Sequence, residues 1–439
     1  MVIYNKDERR WQMKYKITSE RTNLFAPNIH VAMSVLIKGC TDLEELTHAI
    51  RKACIQNEML RCKIVLEENG EAFYETISTP NQSIIIRENS NANQWISIIK
   101  EQENFPFDIF HGELVRFFLL KEAEHIRLLL IAHHLAGDGI SYTYLIEDIM
   151  RGLQKESELA PKPMTLFDAK NLSKKHQLSL AMKLMIRYLN RSWKKYGKVF
   201  DQEDYDRIYT SYWSNRSTEI YTHSFQEEKV LKLKEKADKC NITLNTLIQT
   251  VMLHGYHEKA DVGLAVSIRP KGFKGMANFA SGIAFDYQYS SYKTFAENAK
   301  AVHHRIQRKL KNDKKRYFLL QFLDALEATL IDSTYFAAFA GYEEKLAKKL
   351  CKMFGYCGKP KDLSISNLTK LDIPTAYGEY SIEDFWFVPP LISNAKRLFG
   401  IASLGNTMNL TFHVENSKER DNLKRYFDEV IHELLSFTT

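Results

Sequence analysis

Apolar residues along this chain follow two rhythms, short unbroken runs and helical repeats, and they alternate. Leu43, Leu46, Ile50, Ala53 and Cys54 share one helical face, and Thr41-Asp42-Leu43-Glu44 ahead of them has capping-box spacing. Short runs at 61–66, 71–77 and 83–87 read as strands, and a helix is expected near 93–103. Two longer apolar runs follow, at 114–121 and 125–135. The second holds neither Gly nor Pro and reads as a strand covered on both faces. From Gly139 onward Ile140, Tyr144, Leu145, Asp148 and Ile149 take up a helical period. The later part repeats the alternation: an apolar helix over 241–257, strands at 262–268 and 410–414, and a closing helix carrying Leu423, Phe427, Val430, Ile431 and Leu434. Strands interleaved with helices predict an α/β or α+β sandwich architecture.

Residues 156–176 hold Pro161, Pro163 and many polar groups, which predicts a crossover and a division into 1–175 and 176–439. The helix after it carries Lys174, Lys175, Lys183, Arg187, Arg191, Lys194 and Lys195 around an apolar stripe of Leu180, Leu184 and Tyr188. Such a helix can bind a membrane surface or an acidic partner, though more often it is a surface helix with a solvated face. A second cationic stretch, Arg305 to Arg316, invites comparison with a coenzyme phosphate site.

Composition narrows this only a little. With 439 residues, 44% of them apolar, the chain is long enough for two buried cores. Its net charge of +7 suits an anionic partner such as coenzyme A or an acidic carrier protein. No nucleic-acid-binding motif accompanies that charge, so no nucleic acid is expected. The six cysteines show neither a disulfide framework nor metal spacing, Cys351 and Cys357 included, which implies a reduced, cytoplasmic setting. Met1 through Arg10 form no apolar leader, and no transmembrane segment is expected.

Candidate chemistry concentrates at His133-His134-Leu135-Ala136-Gly137-Asp138-Gly139, where the covered strand gives way to a helix. Neighbours on a strand point to opposite faces, so His133 and His134 with Asp138 make a poor zinc set, and no metal is expected. A neutral imidazole is well matched to taking a proton from an attacking alcohol or amine. No nucleophile elbow and no cysteine lies beside the motif, which points to direct attack without a covalent intermediate. Asp138, four residues from His134 across a turn, either orients that ring or turns back to pair with an arginine.

The pattern is identified as that of the thioester-dependent acyltransferases that carry HHxxxDG. These include chloramphenicol acetyltransferase, plant BAHD acyltransferases, polyketide-associated acyltransferases, alcohol acetyltransferases and peptide-synthetase condensation domains. Further stretches resemble the family in the right order. They are Leu60-Arg61, Pro106-Phe107-Asp108 with Gly112-Glu113-Leu114-Val115-Arg116, Ser267-Ile268-Arg269-Pro270 with Asn278-Phe279, Ser364-Ile365-Ser366-Asn367-Leu368, and Asp384-Phe385. Thr369 stands where the family has glycine.

The resemblance implies two chloramphenicol acetyltransferase-like domains with an active-site tunnel between them. It makes His134 the general base, gives His133 a packing role and pairs Asp138 with an arginine, Arg269 before Arg61. Gly139 opens the helix at a close approach, and Ser366 and Asn367 serve either as oxyanion donors or in a turn. The implied activity is transfer of an acyl group, other than aminoacyl, to a small-molecule alcohol or amine acceptor. Its co-substrate is an acyl-CoA or a phosphopantetheine thioester, with no permanently bound cofactor. Two alternatives stay open: a stand-alone condensation enzyme served by a carrier protein in trans, and a non-catalytic interaction module on the same fold.

Overall fold

A computed structural model of the chain describes residues 2–4, 11–40, 42–122, 124–154, 158–173, 176–195 and 197–439. Thr41 of the expected capping box, Lys174 and Lys175 of the cationic helix, and most of Met1 through Arg10 lie outside the described residues.

Two six-stranded mixed sheets organise the molecule. The first runs in the order Ala376–Tyr377, Tyr380–Val388, His30–Lys38, His125–His133, Val115–Lys121, Ser83–Glu88. The second runs Ala280–Gln288, Lys259–Ser267, Leu363–Lys370, Arg397–Leu404, Thr407–Glu415, Thr218–Phe225. Helices cover each sheet and separate cores form beneath them. Leu46, Ile50, Leu145 and Ile149 pack on the first sheet, and Leu247, Val251, Phe427 and Val430 on the second. A third, smaller core lies among helices, with Ile186, Leu189 and Trp193 packed against Phe322, Leu330 and Leu350. The strand His125–His133 is buried along almost its whole length, as a central strand with helices on one side and the other lobe nearby must be.

The first helix, Leu43–Gln56, is capped by Asp42, whose carboxylate accepts from the backbone N–H of Glu44 and Glu45.

Packing crosses the expected division at 175/176, with parts of 176–439 joining the first sheet and its core. Phe200, Tyr205 and Ile208 belong to the core of the first sheet. The strand Tyr380–Val388 pairs antiparallel with His30–Lys38, from Ser381 opposite Lys38 to Val388 opposite Ala32. Asp384 pins that crossing strand: it accepts from Arg127 Nη1 at 3.3 Å and from Asn409 Nδ2 at 2.9 Å, one residue from each sheet. Where the strand leaves, it passes directly over Gly400, where a Cβ would lie 2.6 Å from the Phe387 carbonyl oxygen. Any side chain at Gly400 would push the two lobes apart.

Leu180, Leu184 and Tyr188 face outward on the helix Leu180–Trp193; its buried residues are Ile186, Leu189 and Trp193. One expectation is corrected: Cys351 and Cys357 form a disulfide, because the helix Lys345–Phe354 ends at a left-handed Gly355 that turns the chain back on its last turn. Cys40, Cys54, Cys62 and Cys240 are free and buried.

Candidate active site

The strand His125–His133 ends at its final histidine, and the chain turns before entering the helix Gly139–Gly152. The turn is tied on several sides. Tyr142 Oη donates to the His133 carbonyl at 2.6 Å and Tyr74 Oη to the Leu135 carbonyl at 2.9 Å. His134 N–H donates to the Ile29 carbonyl at 3.2 Å.

The two histidines part as strand geometry requires. His133 is fully buried, accepts the Leu135 N–H on Nδ1 at 3.2 Å and meets Phe107 edge-on. Burial holds its pKa well below the ordinary histidine value, and the neighbouring His30, His134 and Arg116 add to that. His134 instead lines a cavity of about 600 Å³ between the two sheets. Its Nδ1 lies 2.7 Å from Asn278 Oδ1, while Asn278 Nδ2 donates to the His134 carbonyl at 2.7 Å. The amide nitrogen is thereby fixed on the carbonyl, so Oδ1 accepts and Nδ1 must carry the proton. Nε2 is then the lone-pair nitrogen, and no described residue hydrogen-bonds it. Burial holds the His134 pKa below the ordinary value, while the Asp138 charge, its own backbone and Asn278 draw it part of the way back. The ring is therefore neutral at neutral pH, with its base aimed at the cavity.

Asp138 does not reach that ring. Its Oδ1 accepts from Ser141 N–H at 2.9 Å, Ser141 Oγ at 3.0 Å and Arg269 Nη2 at 2.6 Å. Its Oδ2 accepts from Phe279 N–H at 3.0 Å. Asp138 thus caps the helix and clasps the hairpin loop 268–279 of the second sheet, from which Arg269 and Asn278 both come. Arg61 takes no part. Arg269 is further enclosed by the Phe273 and Phe279 rings. Gly139 opens the helix on the cavity wall, where a Cβ would lie 2.9 Å from Leu368 and 3.1 Å from Phe387.

Ser366 and Asn367 both line the cavity from the strand Leu363–Lys370. The Asn367 side chain is engaged elsewhere, donating to Asn245 Oδ1 at 3.0 Å and accepting the Thr369 N–H at 2.7 Å. Thr369 has a φ of 63°. A β-branched residue there occupies the left-handed conformation that suits the family's glycine. Thr369→Gly is expected to stabilise the protein by about 1 kcal/mol, read as a shifted urea midpoint at unchanged slope.

The surroundings of His133 set a pH response. His30 sits opposite it in the sheet register, between Phe107 and Tyr209. Burial, then the Arg116 charge, pushes the His30 pKa down to about 3. Burial pushes the Glu20 carboxyl the other way, up to about 7. As pH falls below about 6.5, the unfolded chain protonates His30 and His133 while the fold does not, so each histidine withdraws stability. Glu20 acts oppositely, its contribution full below the ordinary carboxylate range and lost as pH rises towards 7. The two histidines, joined by the His134 ring that burial holds low in the same sense, outweigh that one carboxyl. Urea titrations should show stability falling as the pH drops from 6 to 5.

The cavity walls come from both sheets, with Gly263, Ser281 and Ser364 opposite His134 and Gly139. It opens to solvent, since Met185, Phe318, Met353 and Ile392 line it and are also exposed. The cationic stretch 305–316 sits elsewhere, in a separate cleft with His176, Arg308, Lys311 and Lys314. No group of three or more metal-ligating side chains occurs among the described residues. Among them too, no helix is long and apolar enough to cross a membrane. Asn278 is the hydrogen-bonding neighbour of His134 that sequence reasoning did not assign. It stood within a recognised motif, but its partner lies 144 residues away.

A family model described as Condensation domain matches residues 26–334. A polyketide synthase-nonribosomal peptide synthetase of Aspergillus clavatus is 26% identical over 124 residues, 28% of this chain and 3% of that protein. The hybrid PKS-NRPS synthetase xenE of Xenoacremonium sinensis is 28% identical over 150 residues, 34% of this chain and 4% of its own length. The chain therefore matches only a few per cent of the length of these relatives. Among solved structures, the first condensation domain of the CDA synthetase aligns with a TM-score of 0.66 at 11% identity, covering 97% of this chain and 96% of that one. The trichothecene 15-O-acetyltransferase TRI3 from Fusarium sporotrichioides aligns with a TM-score of 0.62 at 13% identity, covering 97% and 95%. Both share the two-lobed architecture of chloramphenicol acetyltransferase-like proteins.

Proposed function

This chain belongs to the condensation-domain family, and from that premise we propose that it transfers an acyl group from a thioester to an alcohol or amine with His134 as general base. The observation that carries the reading is the His134 ring itself, its Nδ1 committed to Asn278 and its Nε2 open to a cavity walled by both lobes. The acceptor's hydroxyl or amine would lie against Nε2 and lose its proton there as its oxygen or nitrogen attacks the thioester carbonyl. The tetrahedral intermediate then collapses, the carbon–sulfur bond breaks, and the imidazolium returns the proton to the departing thiolate. A thiol leaves readily at a pKa of about 8.5, so no stronger acid is needed. Ser366, on the cavity wall, is the side chain we assign to the oxyanion; Asn367 is already engaged. Asp138 and Arg269 act on the reaction only by fixing the turn that presents the ring.

A second form of the reading concerns the donor. The curated relatives are polyketide and peptide synthetases by name, which favours an acyl group delivered on a carrier protein over free acyl-CoA. The test is thiol release followed with acyl-CoA and, separately, with acyl-loaded carrier protein across a panel of alcohols and amines. Acceptor-dependent release from either donor supports acyl transfer and identifies the donor. Absence of release from both, with tight binding of a protein partner, would instead favour a non-catalytic module.

A further inference from the structure

The helix Leu180–Trp193 presents an unusual outer face. Leu180, Leu184 and Tyr188 are 72%, 53% and 69% exposed, and at four-residue spacing they form one continuous row. Beside it runs a second row at the same spacing, Lys183, Arg187 and Arg191, continued by Lys194 and Lys195. The helix contains no acidic residue. Among the described residues none of these five cations has a carboxylate partner, Lys183 donating only to Gln177. Cations and large apolar groups therefore share the solvent side, opposite Ile186, Leu189 and Trp193.

The row does not end at the helix. Met185, three residues from Tyr188 and next round the helix, is exposed and also lines the His134 cavity. Phe318 and Met353 complete an exposed apolar lip at the same opening. Met353 sits on the helix Lys345–Phe354, which adds exposed Lys345, Lys349 and Lys352 to the same cationic surroundings.

We propose that this face is a membrane-association surface, resting on anionic lipid with Leu180, Leu184 and Tyr188 in the headgroup boundary and the cavity mouth turned towards the bilayer. Interfacial helices need this combination, apolar side chains to insert and flanking cations to hold anionic headgroups. A bilayer would cover the helix row and the apolar lip together. A soluble donor or an acidic protein would neutralise the cations but has no need of an exposed lip of methionine and phenylalanine. Resting on the acyl-transfer reading above, the placement further implies that one of the two substrates is amphiphilic and enters from the lipid phase. The surface itself stands without that reading and is tested without any turnover.

The experiment is cosedimentation of the full chain with vesicles of phosphatidylcholine alone and of phosphatidylcholine mixed with phosphatidylglycerol, at low and high salt. Binding to the mixed vesicles only, weakened by salt, is expected. Changing Lys183, Arg187 and Arg191 together to Gln should weaken that binding roughly a hundredfold, at about fivefold per cation. Leu184→Ser with Tyr188→Ser should abolish it. All five side chains are exposed, so both variants should keep the wild-type melting temperature, which is measured alongside. Failure of the wild type to bind mixed vesicles overturns the proposal, as does equal binding by the folded variants. So does finding that the variants lose affinity for an acidic carrier protein while vesicle binding is unchanged, which would assign the face to a protein.

Discussion

His134→Ala is expected to slow acceptor-dependent thiol release by about 10²–10⁴-fold while the protein keeps its melting temperature. The ring lines the cavity, is neutral at neutral pH and carries a lone pair that no described residue engages. Without it, the acceptor must lose its proton to water as it attacks. Stability should hardly change, because the backbone bonds of the turn run through the His134 N–H and carbonyl and survive the substitution. His133→Ala should behave in the opposite manner. It empties a fully buried site against Phe107 and so costs stability first, with any loss of rate following from a displaced turn. The assay is stopped-time thiol detection with whichever donor supports turnover, alongside thermal melts of both variants. Wild-type rates in folded His134→Ala would remove the assigned base.

Asp138→Ala carries the largest expected cost in stability, about 3–5 kcal/mol. The substitution leaves the Arg269 guanidinium, nearly inaccessible to solvent, without its carboxylate. It also strips the cap from Ser141 N–H and orphans the Phe279 N–H. Since Arg269 and Asn278 share the loop 268–279, the hydrogen bond that fixes the His134 tautomer should loosen with it. Asp138→Asn, which keeps an oxygen for the cap but not the charge, should lose less. Urea denaturation measures the difference. If Asp138 instead acted on His134 directly, Asp138→Asn would abolish activity with little loss of stability.

The centre of the site was readable because its information is local. A covered apolar run, two histidines, a helix-capping aspartate and a glycine follow one another within about fifteen residues, and each has a physical reason for its place. The helix begins at Gly139, as its periodicity implied, while the strand stops at His133, two residues before the apolar run does. What escaped is non-local. The central strand His30–Lys38 carries an apolar run, Val31 to Ile37, broken only by Ser34, that periodicity cannot separate from a buried helix. The strand Tyr380–Val388 takes its place by pairing with residues some 350 positions earlier, which nothing near it announces. Asn278 is one asparagine in a loop until His134 is opposite it. The stripe Leu180, Leu184 and Tyr188 has helical spacing, but spacing alone does not say which side of the helix a neighbour occupies. The cationic stretch 305–316 likewise concealed a break: one helix ends at Leu310, and Asn312 caps the next through the Lys315 N–H.

His134 can act as the base only if Nδ1 carries the proton, and that can be measured without knowing the substrate. Nitrogen-15 spectra of histidine-labelled protein, assigned by comparison with His134→Gln, should show Nδ1 protonated and Nε2 bare at neutral pH. On acidification the ring should titrate below the ordinary histidine value of about 6.5. A proton on Nε2 at neutral pH, or a ring already charged there, would contradict the assignment of His134 as the base.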